Sequence, residues 1–462
     1  MITASPVDQK KGNQANPPRP ALRWRLFKTR LLEWLMHDAR AFQATVAFAA
    51  VVAGWLLYWC RQTRRSFDIL AKLHRANYFT WADASARRIV RTAAQQRPQH
   101  PLMAVYRDYV ASLTPLAVSG KYFRDPSLLF PYFAMVLKSP RANEKGVLVL
   151  EYNYIFPVFA KFFNIEEIAR RYHLVLEPTW SGYCTLEVLS YCQYSFPVFV
   201  QAFEPRDAEL LTGMKSNLIP VPTSTNWWVD HRMFRPIPRT TRDIDVVMIA
   251  AWAPYKRHHR FFRALAKLRQ QGNRLRVLLL GYQIHLKKED ILEQACYYGV
   301  LDQVEIHEKV PYHEVNEHLN RAKVNIIWSR KEGVNRAIVE GMFAGVPCLV
   351  RAGFNYGHHY EYINERTGCF ASEYDLPAKL LGLIRNHARF SPRDWVMANM
   401  SCQRATEILA QRIRSQAIIG GETWTESLAV KTNELNGMVY WNPQDNKRFE
   451  NDYVWLRTQI RT

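Results

Sequence analysis

From Ile244 to Gly353 short apolar runs alternate with amphipathic segments, and this alternation constrains the fold more than any other feature of the chain. IDVVMIAAWAP, RLRVLLLG, QVEIHEKV, VNIIWS and PCLVRAG read as strands, and HHRFFRALAKLRQQ, KEDILEQACYYG, YHEVNEHLNRA and NRAIVEGMFAG read as the helices between them. A helix between consecutive strands is too long for a hairpin, so the strands must run parallel with the helices on the sheet faces. Ligands of such doubly wound sheets bind beyond the carboxyl ends of the strands.

A similar alternation precedes it. GVLVLEY, HLVLEP, PVFVQAF and NLIPVP are predicted strands, with IEEIARRY, TLEVLSYC and PRDAELLTGM as helices between them. From Phe67 to Pro140 the pattern is helical without a strand signal, and Leu376 to Thr462 reads as helices with irregular segments. The expected organisation is therefore a tail and helical anchor region over residues 1–66, a helical segment and first Rossmann-like domain over 67–225, a second over 226–390, and a carboxyl-terminal helical region over 391–462 that packs back on the first domain. A chain of 462 residues has ample length for that many units.

The net charge of +21 calls for an anionic partner, and it is unevenly placed: residues 1–100 hold 17 Lys+Arg against 5 Asp+Glu, so +12 lies there. Residues 1–20 are polar and expected to be disordered. In RWRLFKTRLLEWLMH, Trp24, Phe27, Leu31, Trp34 and Leu35 recur at helical spacing while Arg23, Arg25, Lys28 and Arg30 fall elsewhere, as in a helix lying on anionic lipid. Residues 41–60, AFQATVAFAAVVAGWLLYWC, carry no charge and are long enough to span a bilayer. Residues 21–40 and 61–80 each carry five Lys+Arg, so flanking charge does not choose between crossing once and inserting from one side, and the length of the uncharged run favours one transmembrane helix. Membrane contact is assigned to residues 23–60. The seven cysteines form no C-x-x-C pair and read as buried thiols in a reducing compartment. No nucleic-acid module accompanies the basic surplus.

The stretch SRKEGVNRAIVEGMFAGVPCLV, residues 329–350, carries the chemistry. Glu332, Gly333 and Val334 are expected at a helix N-terminus, where free backbone N–H groups and the helix dipole favour a diphosphate. Glu340 lies deeper in that helix, and a carboxylate there can accept two hydrogen bonds from a vicinal diol such as a ribose. Trp180, Ser181 and Gly182 follow a predicted strand end and face the cleft. Asp243-x-Asp245 enters a strand rather than leaving one, and His258-His259 and His358-His359 lack partners for zinc, so no metal and no cofactor is expected.

These residues resemble the E-x7-E motif of family 4 glycosyltransferases of the GT-B fold, with Glu332 and Glu340 as its acids. NWWVDHRMFRP is similar to the family's interdomain connection, and the likeness covers residues 215–390, with a weaker part over 145–215. It implies an α/β fold of two Rossmann-like domains facing a cleft, with Glu332 by the donor sugar as the catalytic residue and Glu340, Lys256, Arg257, Gly281, Gly333, Val334 and Asn335 holding a nucleotide-sugar. AAWAPYKRHH is similar to the family's loop of an Arg and then a Lys, which puts Lys256 or Arg257 where a departing diphosphate is neutralised without metal, and Gly281 matches the family's glycine that lets backbone approach the nucleotide. It further implies a retaining, hexosyl-type transferase acting on a glycan or lipid-linked acceptor, its catalytic domains facing the cytoplasm where nucleotide-sugars are made. Two departures stand out: the family's loop Arg falls on Ala251, and EPTWSGY lacks the family's His. They leave open the alternative of a degenerate, non-enzymatic partner in a membrane glycan-assembly complex.

Overall fold

The computed structural model describes residues 20–77, 79–330, 332–353 and 360–461. Of the tail expected over residues 1–20, residues 1–19 lie outside the described residues, as does the pair His358-His359, and Pro20 begins a helix. Two sheets organise the chain. The first has strands β1 (Ala134–Lys138), β2 (Gly146–Glu151), β3 (Tyr172–Glu177), β4 (Val198–Gln201) and β5 (Leu218–Val221), adjacent in that order. β2 to β5 are parallel, and β1 is an antiparallel edge. The second has β6 (Ile244–Ile249), β7 (Val277–Gly281), β8 (Val304–Glu308), β9 (Ala322–Ile327), β10 (Cys348–Arg351) and β11 (Gly368–Ala371), in the order β11-β10-β9-β6-β7-β8. All its pairs are parallel, and the strand order reverses between β6 and β9, which pair at Val246 and Val324. The chain thus has a GT-B-like α/β fold.

Both sheets are covered on two faces, which is why their inner strands are near-continuous apolar runs, whereas the edge strand β8, VEIHE, stays partly exposed. β2 and β3 are buried along their whole length. One apolar core runs from the first sheet across to the helices on one face of the second, including Trp228, Ile338 and Phe343. A separate core with Trp252, Phe261, Leu265 and Trp328 fills the other face of the second sheet.

The helices before the first sheet include α1 (Pro20–His37), α2 (Arg40–Trp59), α3 (Thr63–Ala76), α4 (Thr80–Gln95) and α5 (Pro101–Ala111), followed by the short helix Gly120–Arg124. α2 is long and apolar enough to cross a membrane, by length and composition. Two expectations fail here. β1 falls in the stretch read as purely helical, because AMVLK is a short apolar run buried at every position and such a run has no period to separate strand from helix. The carboxyl-terminal region is not only helical: β12 (Lys431–Glu434) and β13 (Gly437–Tyr440) form an antiparallel hairpin between the helices Cys402–Ile419 and Glu450–Arg457. The final segment returns to the first sheet. The Val136 N–H donates to Tyr453 Oη at 3.1 Å, and Tyr440 Oη donates to the Val136 carbonyl at 2.7 Å.

Candidate active site

The reversal of strand order opens a crevice between the loops that leave β6 and β9, and the main cavity, about 860 Å³, lies at the carboxyl ends of β6, β7 and β8. The loop after β6 turns through a short 3-10 helix, Pro254–Lys256, and the loop after β9 carries Glu332. Lys256 donates a short hydrogen bond to Glu332, so the two strands flanking the crevice are joined by an ion pair on the cavity wall. The side chains are 13% and 9% exposed. Burial pulls the Lys256 ammonium down, but the Glu332 carboxylate outweighs it and leaves its pKa above the ordinary value. A lysine so held is a fixed positive charge.

Glu332 is not on the helix. The helix runs Arg336–Phe343, with Asn335 as its N-cap accepting from the Ile338 N–H at 3.1 Å. Glu332, Gly333 and Val334 form the loop before it, because Asn335 in extended conformation ends the helix register there. Glu340 is buried in the second turn and faces the cavity. Burial raises its pKa, opposed by Arg336, whose Nε lies 3.3 Å from Glu340 Oε1.

Val334 and Asn335 line the cavity, as do Ala251 and Gly281. At Gly281 a Cβ would stand 2.3 Å from the Ala250 carbonyl oxygen and 2.7 Å from the Trp252 ring. Glycine is therefore required here for packing of the cavity wall itself, whatever approaches from the other side. Gly333 meets the first domain: a Cβ there would stand 2.5 Å from Ser181 Oγ and 2.6 Å from Ser181 N. Its carbonyl accepts from Tyr360 Oη at 2.6 Å. The loop at Ser181 thus touches the motif directly.

Arg257 departs from its expected place. Its backbone is left-handed, φ 59°, which turns the side chain away from that of Lys256. It does not line the cavity; it is buried behind the loop, donates to Glu33 of α1, and lies 3.0 Å from Glu373. The other wall residues were not singled out in the sequence. Arg336 is the cation nearest Glu340, and its i, i+4 spacing was the available signal. Lys309, left-handed at φ 53°, lines the cavity from the end of β8, and Tyr282, Tyr312 and Leu435 add apolar surface.

A buried polar network lies beside the cavity. Glu151 and Glu177 end β2 and β3, and Asn433 Nδ2 of β12 donates to both, at 2.9 and 2.6 Å. Lys431 Nζ lies 2.8 Å from Glu177 Oε2 and donates to Asn433 Oδ1 at 2.6 Å. Burial, then the Glu177 charge, pushes the Glu151 carboxyl up to about 8, while Lys431 is pulled down by burial. The strand-end acids stand next to last in the predicted strands GVLVLEY and HLVLEP; their partners, over 250 residues away, carry no sequence signal.

Among the described residues no three His, Cys, Asp or Glu side chains gather as metal ligands would. Asp243 and Asp245 are at the amino end of β6, bonded to Arg276, Arg321 and Lys323. His258 is buried under α1, and its pKa falls to about 3 through burial, then the neighbouring His259.

No curated protein matches the chain. Among solved structures, TarM aligns with TM-score 0.46 and 15% identity, covering 58% of this chain and 53% of TarM, so the chain spans about half of that protein. Sucrose-phosphate synthase from Thermosynechococcus elongatus aligns with TM-score 0.46 and 13% identity over 70% of this chain and 81% of its own. Anabaena HepE, in complex with UDP and glucose, aligns with TM-score 0.46 and 14% identity over 58% of this chain and 78% of its own. Residues 230–386 match the family described as glycosyl transferases group 1, and that match falls on the second Rossmann-like domain, which carries the Lys256–Glu332 and Arg336–Glu340 pairs on its cavity wall.

Proposed function

We propose that the chain transfers a sugar from a nucleotide-sugar to a glycan or lipid-linked acceptor, with retention of configuration and without metal. The observation that carries this reading is the Lys256–Glu332 pair set across the strand-order reversal, on the wall of a cavity that also holds Glu340. A diphosphate entering beside Lys256 would take over the ammonium's charge from Glu332, which frees that carboxylate toward the donor sugar. Lys256 then neutralises charge developing on the leaving diphosphate, and does so preorganised, which is where electrostatic catalysis is strongest. Glu340, held by Arg336, accepts from the ribose diol. Arg336 and Lys309 supply cations on a wall where Ala251 has none. The cytoplasmic, membrane-associated setting is part of this reading, supported by the amphipathic α1, the apolar α2 and the basic amino-terminal hundred residues.

Thermal denaturation of the full chain against a panel of nucleoside diphosphates tests it. A ligand at 100 times its Kd stabilises by about 2.7 kcal/mol. The expected result is stabilisation by one or two diphosphates and none by the matching nucleosides. A flat response to every diphosphate would remove the donor site and favour the non-enzymatic alternative.

A further inference from the structure

We infer that α1 and α2 do not cross the bilayer but seat together on one leaflet of an anionic membrane. This rests on the membrane association proposed above and decides its geometry. α2 has two distinct sides. Gln43, Ala47 and Gly54 are buried, whereas Phe42, Phe48, Leu56 and Trp59 are 48%, 63%, 52% and 71% exposed. The buried side is covered by α3, which follows after a short turn, and by α4. The fit to α3 is close: a Cβ on Gly54 would stand 2.7 Å from the Leu70 side chain. On α4, Arg88 places its guanidinium 5.7 Å from the Trp55 ring.

Crossing would take these partners along. α3 exposes Arg64, Arg65, Asp68 and Lys72, which at hydrocarbon depth would lose their hydration without partners. Lying in the interface needs no such loss, since only the outer side of α2 meets acyl chains.

α1 completes the surface. Its inner side is tied to the second domain, with Arg25 Nη2 2.7 Å from Asp290 and Glu33 joined to Arg257 and 3.3 Å from His259. Its outer side exposes Trp24, Phe27, Leu31 and Trp34. Exposed Lys28, Arg40, Arg61, Arg64 and Arg65 border the two apolar rows and outnumber Asp38 and Asp68, which suits anionic headgroups. A one-sided seat also accounts for equally basic flanks on the apolar stretch, because both of its ends meet the same headgroup layer. It brings the donor cavity to the membrane: His285 and Leu286 lie under α1, next in sequence to Tyr282 and Ile284 on the cavity wall.

The test uses the full chain with vesicles of phosphatidylcholine, with and without phosphatidylglycerol. Co-sedimentation with the anionic vesicles only is expected, abolished by Phe48→Asp with Leu56→Asp while thermal stability and nucleoside diphosphate binding stay unchanged. In intact expressing cells, a membrane-impermeant maleimide should not reach a cysteine placed at Ser5 in a Cys60→Ser background, and should reach it after permeabilisation. Labelling in intact cells would overturn the one-sided seat while leaving membrane association standing. Failure to bind either vesicle, or a dimer in solution that the two Asp substitutions dissolve, would overturn both. Neither outcome touches the nucleotide panel, which tests the transferase reading alone.

Discussion

Arg336 bridges the second Rossmann-like domain and the carboxyl-terminal hairpin: its Nε lies 3.3 Å from Glu340 Oε1, and its Nη2 donates to the Asn433 carbonyl at 2.9 Å. Glu340 is therefore held by a cation that also anchors a strand 97 residues further on. Arg336→Met would leave a buried carboxylate without its partner, a change that costs about 3–5 kcal/mol. Urea unfolding should show a loss of that order, and adding Glu340→Gln should recover a good part of it. A double variant as unstable as the single one would mean that the pair is not what Arg336 stabilises.

Lys256 and Arg257 are neighbours in sequence with opposite environments, so their alanine variants should separate. Lys256→Ala removes a charged hydrogen-bond donor worth about 1.5–3 kcal/mol, and nucleoside diphosphate affinity should fall about tenfold or more with nucleoside affinity unchanged. Arg257→Ala should lower the melting temperature and leave the ratio of the two affinities as it was. Calorimetric titration of both variants decides it; equal weakening of both ligands by Lys256→Ala would make that lysine structural.

Gly333→Ala tests the contact between the domains. The added carbon would meet Ser181 N at 2.6 Å, a backbone atom that has no rotamer to yield. Overpacking of this kind costs about 1–3 kcal/mol. A drop in thermal stability of that size is expected, with partial recovery on Ser181→Gly, which removes the Oγ but not the nitrogen. Full stability in Gly333→Ala would show that the two loops separate freely.

Glu151 makes stability depend on pH. Its folded pKa, about 8, lies above the value near 4.5 it takes when unfolded, so the folded chain keeps a proton that the unfolded chain has released. Stability attributable to this group is present below about pH 4.5 and declines as pH rises to about 8, by at most ~1.4 kcal/mol per pH unit. Glu151→Gln, which cannot ionise, should flatten that part of the curve in urea unfolding between pH 6 and pH 8, on the order of the range the shift covers. An unchanged slope would place the proton elsewhere in the Glu151, Glu177 and Lys431 network.

Sequence patterns of short range were read correctly where burial is uniform. β6, β7, β9 and β10 appear as apolar runs because both sheet faces are covered, and Glu332 and Lys256 stand in loops that any parallel sheet turns toward its carboxyl edge, with Glu340 in the helix that follows one of them. β1 and the β12–β13 hairpin were missed for the opposite reason. AMVLK gives no period, and KTNE reads as polar although Lys431, Thr432 and Asn433 are buried, since their partners Glu151 and Glu177 come from the far end of the chain.

What the sequence determined by itself is the parallel doubly wound domain and the loops that bear its charged residues, because strand, helix and connection are set by neighbours a few residues apart. Tertiary structure alone decided which charges face the cavity. A left-handed φ of 59° sends Arg257 behind the loop toward Glu33, 224 residues earlier, while Lys256 meets Glu332 in front. A buried ion pair forms wherever folding brings opposite charges out of water together, and no spacing along the chain records that meeting.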